Sequence, residues 1–178
     1  MDQPRTADRR GTAAAGTIAA AAMVAAATLA FLWATASAEP PAKSGDDRPR
    51  DPVALGRYLV QTAGCNDCHT PGYTQNGGKT PESAWLTGDT LGWHGPWGTT
   101  YGSNLRLFVA DLSEAQWLQY LRRMEARPPM PWFNLRAMTD GDLRAIYRYI
   151  KAAGPAGEPA PAYLPPGQQP RGPVARFP

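Results

Sequence analysis

Within this 178-residue chain, Cys65-Asn66-Asp67-Cys68-His69 is the stretch whose residue types and spacing carry chemistry. Two thiols separated by two residues, with an imidazole directly after the second, form the spacing for covalent attachment of a c-type haem. Two thioether bonds need both sulfurs along one edge of a porphyrin, and the next side chain then points its imidazole at the iron. The same cysteine spacing serves disulfides, thioredoxin-like dithiols and half-zinc sites. The chain has only two Cys and two His, the second being His94, so a zinc site would need all four or would recruit carboxylates. A thioredoxin-like pair belongs with alternating strands and helices, and no such alternation is visible. Haem is the favoured reading.

Pro128-Pro129-Met130-Pro131-Trp132 is the second informative stretch. A thioether is a soft ligand suited to haem iron opposite His69, and His/Met ligation raises the reduction potential. Flanking prolines hold Met130 on an extended, preorganised loop. A lone methionine ordinarily fills core space, and Met124, on an expected helix face, is assigned that role. Met138 and His94 are the competing sixth ligands.

The elements that must position these residues follow from periodicity and punctuation. Residues 39–52, rich in Pro and charge, read as a disordered linker. A helix begins near Val53, with Val53, Leu55, Tyr58, Leu59 and Ala63 at helical spacing, and ends at Gly64. Gly56 inside it costs about 1 kcal/mol relative to Ala, which a close helix crossing would explain. Residues 70–110 are dense in turn signals and read as a long irregular loop, with a short hairpin over Thr87–Trp93. Its aromatic residues suit a flat porphyrin, and Trp97, Tyr101 and Asn104 are candidates for haem packing or propionate contacts. The competing role for each is to staple the loop to the core. Ser113-Glu114-Ala115-Gln116 is a capping box opening a helix to about Glu125. A final helix starts at the Thr139 cap and stops at Gly154-Pro155. Residues 155–178 are Pro- and Gly-rich and read as an extended tail, free or lying on the domain through Tyr163, Leu164 and Phe177.

The N-terminus has the layout of a secretory leader. Arg5, Arg9 and Arg10 precede an uncharged run from Gly11 to Ala38, which closes on Ala36-Ser37-Ala38. Cleavage after Ala38 is expected, with retention as a membrane tether through residues 12–33 the alternative. Removing residues 1–38 takes away three of 18 basic and two of 15 acidic residues, leaving 15 against 13. Haem propionates would bring that near neutrality, so the basic balance gives no argument for nucleic-acid binding.

Taken together, these motifs resemble a class I-type monohaem cytochrome c over residues 53–154, similar to small bacterial domains that serve periplasmic dehydrogenases. The resemblance rests on Gly64 through Pro71, on Gly95-Pro96-Trp97-Gly98, on Asn104-Leu105, on Pro128 through Trp132 and on Leu143-Arg144-Ala145-Ile146-Tyr147. It implies an all-α cytochrome c fold, with three to four helices around one covalently bound haem c and a long irregular middle loop. It further implies thioethers on Cys65 and Cys68, axial ligands His69 and Met130, and Gly56 at a helix crossing opposite Tyr147. Related domains often place Thr after Asn-Leu where this chain has Arg106. With both axial positions filled, the expected role is a periplasmic electron carrier without enzymatic activity of its own. Its partners would be a dehydrogenase, a quinol-oxidising complex or a terminal oxidase. The alternative is a haem enzyme or sensor with a labile sixth ligand.

Overall fold

The computed structural model describes residues 48–178. The leader, its cleavage site, the tether over 12–33 and most of the 39–52 linker lie outside the described residues. Helix α1 (Pro52–Thr62) starts where Asp51 accepts a hydrogen bond from the Ala54 N–H at 2.7 Å, with Pro52 in the first turn. A left-handed Gly64, φ 73°, turns the chain directly into α2 (Cys65–His69), the attachment motif itself.

A 3-10 turn (Glu82–Ala84) and a β-hairpin follow, β1 (Gly92–Gly95) pairing antiparallel with β2 (Gly98–Tyr101). Then come α3 (Leu105–Ala110), α4 (Glu114–Arg123), α5 (Trp132–Ala137) and α6 (Asp140–Ala153). A last strand, β3 (Val174–Arg176), returns from the tail to pair in parallel with β1, giving the sheet order β2-β1-β3.

The fold is therefore helical but not all-α, and it holds more helices than the three to four expected. The capping boxes locate α4 and α6 as the sequence suggested. Ser113 and Gln116 exchange bonds at the start of α4, and Thr139 Oγ accepts from the Asp142 N–H at 3.1 Å. The hairpin sits over Gly92–Tyr101 rather than Thr87–Trp93, turning through Pro96-Trp97.

Helices α1 and α6 pack together more extensively than any other pair of described elements. Gly56 explains how. A Cβ there would lie 2.0 Å from the Ala145 carbonyl oxygen and 2.7 Å from Tyr149 Cβ. The helix crossing is confirmed, but the residues opposite Gly56 are Ala145 and Tyr149. Tyr147, the residue expected there, instead donates its hydroxyl to the Leu112 carbonyl at 2.7 Å.

Around this crossing lies the core, including Val60, Leu86, Val109, Leu143 and Ile150. Trp85 belongs to it. It is set edge-on to Tyr73 and Tyr149, and its indole N–H donates to the Thr80 carbonyl at 2.9 Å. Arg106 is buried and staples the end of α6. Its guanidinium donates to the Gly154, Ala153 and Ser83 carbonyls. A cation suits a helix C-terminus, where unpaired carbonyls collect negative charge.

Candidate haem site

Helix α2 places Cys65, Cys68 and His69 within little more than one helical turn. Cys65 and Cys68 form no disulfide with each other. Burial pushes the Cys65 thiol up to about 11 and raises Cys68 as well. Among the described residues, no three His, Cys, Asp or Glu side chains converge to hold a metal ion.

The imidazole of His69 is buried, and its Nδ1–H donates to the Ser103 carbonyl at 2.8 Å. Burial lowers the affinity of the ring for a second proton, and this hydrogen bond opposes that only in part. The ring is therefore held neutral, with Nδ1 protonated and the Nε2 lone pair left as a ligand, the arrangement seen for metal-bound histidines generally.

Three contacts hold that geometry. Gly88 N–H donates to the His69 carbonyl at 2.8 Å. Fully buried Thr70 donates its hydroxyl to Asn66 Oδ1 at 2.7 Å and accepts from the Leu86 N–H at 2.8 Å. Leu86 itself sits at φ 61°, a left-handed conformation costly for a bulky residue, and its carbonyl receives the Leu105 and Arg106 N–H groups. Gly102, next to Ser103, approaches the motif so closely that a Cβ would fall 1.7 Å from the Cys68 carbonyl oxygen.

Met130 lies half-buried on the loop between α4 and α5. Among the described methionines, Met124 and Met138 pack against the hydrophobic core and Met130 does not. The loop is fixed at several points. Thr100 Oγ donates to the Pro128 carbonyl at 2.7 Å, Met130 N–H to Arg127 O at 3.3 Å, and Trp132 N–H to Met130 O at 2.9 Å. Helix α5, which starts immediately after Pro131, was not anticipated from the sequence.

The family model for cytochrome c matches residues 53–154. The chain belongs to the cytochrome c family. No curated protein and no solved structure matches the chain. As a class I-type monohaem cytochrome c, it carries one covalently bound haem c with its iron, and Cys65, Cys68 and His69 fit the attachment motif.

Two further features of this cytochrome suit the group. The free Nε2 of His69 is one. The other is a pair of buried indole N–H groups, on Trp93 and Trp97, that have no protein acceptor. Buried donors rarely stay unpaired, and haem propionates are acceptors of the kind they lack.

The other candidates divide. Trp97 folds back over Gly95, where a Cβ would meet its ring at 2.5 Å, and it packs on Phe177 with ring centroids 5.5 Å apart. Tyr101 lines a cleft of about 410 Å³ with Ser103, Asn104 and Phe108. Asn104 is occupied by protein. Its Oδ1 accepts from Leu107 N–H at 3.0 Å, and its amide donates to the Ala156 and Glu158 carbonyls at 2.8 and 3.1 Å. Both amide hydrogens are thus engaged by the tail and the side-chain oxygen by the helix cap. His94, in β1, pairs its Nδ1 with Thr99 Oγ at 2.7 Å.

Sequence reasoning did not find Ser103, Gly102, Asn66 or Thr70. Ser103 acts through its backbone carbonyl, so its side-chain type carries no signal. Thr70 follows the motif directly and was quoted only as part of the resemblance.

Proposed function

We propose that this cytochrome is an exported, periplasmic carrier of single electrons, with the haem iron held by His69 and Met130. Haem electron transfer follows from the family; the ligand pair and location are the additional reading. The observation that carries it is the setting of Met130, a half-buried thioether off the core on a loop tethered to β2 through the Thr100–Pro128 bond.

When bound, haem c supplies a one-electron couple, tuned by axial ligands and burial over about 0.8 V. Cys65 and Cys68 fix its edge. His69 offers Nε2 on one face, with Ser103 orienting the ring. Met130 would hold the iron as the second protein ligand, and its thioether would leave no position open to water or substrate. With both faces taken, only outer-sphere exchange remains, so the protein acts without enzymatic turnover of its own. Its donor and acceptor are other periplasmic redox proteins, a dehydrogenase or quinol-oxidising complex on one side and a terminal oxidase on the other. The uncharged run from Gly11 to Ala38 and the Ala36-Ser37-Ala38 site support export.

The test is the optical spectrum of the exported protein, wild type and Met130→Ala. A c-type pyridine haemochrome with a red ferric charge-transfer band, lost in the variant, is expected. A band that is absent, or unchanged in Met130→Ala, removes Met130 and favours an open, ligand-binding iron. The mass of the mature protein locates the cleavage, expected to leave Glu39 first.

A further inference from the structure

Residues 156–177 lie beyond the family match over 53–154, yet they touch the loop that holds the His69 imidazole and the loop that carries Met130. On one side, Asn104 donates both amide hydrogens to the tail, to Ala156 O and Glu158 O. Asn104 immediately follows Ser103, whose carbonyl holds the His69 Nδ1–H. The Ser103 carbonyl and the Asn104 N–H share one rigid peptide plane, so whatever fixes Asn104 also aims that carbonyl.

On the other side, the Arg127 guanidinium lies 3.8 Å from the Tyr163 ring centroid, and the Tyr163 hydroxyl donates to Trp97 O at 2.7 Å. The backbone carbonyl of Arg127 accepts the Met130 N–H. Between these points Leu164 and Thr99 exchange backbone bonds at 2.8 and 3.0 Å, and the neighbouring Thr100 hydroxyl reaches Pro128 O. The tail then closes as β3, with Phe177 N–H on His94 O at 2.8 Å.

We infer that the C-terminal segment is a strap that positions both ligand loops, with Asn104 and Tyr163 as its positioning residues. The Tyr163 half rests on Met130 ligation; the Asn104 half concerns only His69. A firm acceptor on Nδ1–H makes the imidazole a stronger donor and favours ferric iron, so a slackened Ser103 carbonyl raises the potential. A slackened Met130 loop opens the opposite face to competing ligands.

The experiment uses the full-length holoprotein and three variants. Asn104→Ser keeps a cap oxygen for Leu107 N–H but removes both donors to the tail. Tyr163→Leu removes the ring beneath Arg127, and Tyr163→Phe restores it. The expected results are an upward shift in midpoint potential for Asn104→Ser and about tenfold tighter cyanide binding to the ferric protein for Tyr163→Leu. Tyr163→Phe is expected to recover most of the latter. Wild-type potential in Asn104→Ser together with wild-type cyanide affinity in Tyr163→Leu overturns the strap. Should Asn104→Ser fail to retain haem, the two Tyr163 variants, which touch no helix cap, decide. A wild-type protein without the red band removes the Met130 reading alone, and the potential of Asn104→Ser then decides the strap.

Discussion

Arg122 and Arg136 cap each other's helices. Arg122, in the last turn of α4, donates to the Arg136 and Met138 carbonyls at the end of α5, at 2.6 and 2.9 Å. Arg136, on α5, donates back to the Arg123 and Met124 carbonyls at the end of α4, at 3.1 and 2.8 Å. Its guanidinium also covers the Trp132 ring, 4.4 Å from the centroid. The Met130 loop runs from the end of α4 to the start of α5, so the pair fixes the two helices between which the loop is held.

Replacing Arg122 with Met keeps much of the side-chain volume and strands the Arg136 and Met138 carbonyls. The expected loss is about 2 kcal/mol, measured by denaturant unfolding of the holoprotein. The red ferric band should weaken in the same variant. A loss confined to stability, with an unaltered band, would show that the loop holds its shape without the clamp.

Gly56→Ala tests the helix crossing. The added methyl collides with backbone at Ala145, which cannot rotate away as a side chain would. A penalty of about 3 kcal/mol is expected, at the upper end for overpacking, with a fall in melting temperature of roughly 10 °C. An equivalent change at exposed Ala54, to Ser, should cost little.

Thr70→Val removes a hydroxyl that serves two buried partners, the Leu86 N–H and Asn66 Oδ1. Leaving both unpaired costs about 2–3 kcal/mol, whereas Thr70→Ser retains the oxygen and should stay within about 1 kcal/mol of wild type. Equal stability of the two variants would show that the hydroxyl is dispensable.

Burial, aided by the hydrogen bond to Glu82, holds the Tyr149 hydroxyl protonated well above the usual tyrosine range. The unfolded chain releases that proton near pH 10, so above this pH the unfolded state binds fewer protons than the native one. Stability therefore falls as the pH rises from about 10. Tyr149→Phe should flatten this alkaline limb, read from denaturant midpoints between pH 8 and 11. An unchanged slope would assign the limb to other groups.

Local rules carried the sequence reading a long way. The attachment motif is contiguous, and α4 and α6 announce themselves by caps whose partners lie three residues off. Gly56 pointed to the crossing, though only coordinates could say that Ala145 and Tyr149 stand there.

What failed to show was non-local or built from backbone. Parallel pairing of β1 with β3 leaves no local trace, and the tail looked extended because strand β3 is only three residues long. Helix α5 was hidden by Pro131, whose fixed φ suits a helix start as well as a loop. Arg106, where related domains often have Thr, shows its role only once the C-terminus of α6 is found beside it.

The parallel pairing of Gly92–His94 with Val174–Arg176 also sets an order of assembly. It closes a span of about 80 residues, and the entropy of so long a loop opposes closure until intervening structure has formed. Helices α3 to α6 shorten that span once formed, so the β1–β3 pairing is expected to follow them, whereas the local β1–β2 hairpin needs no such help. During that interval the thiols on α2 face a half-built domain whose strands are not yet locked across it. A haem attached at Cys65 and Cys68 before that pairing closes would be expected to meet the strands only afterwards, as the last part of its surroundings to form.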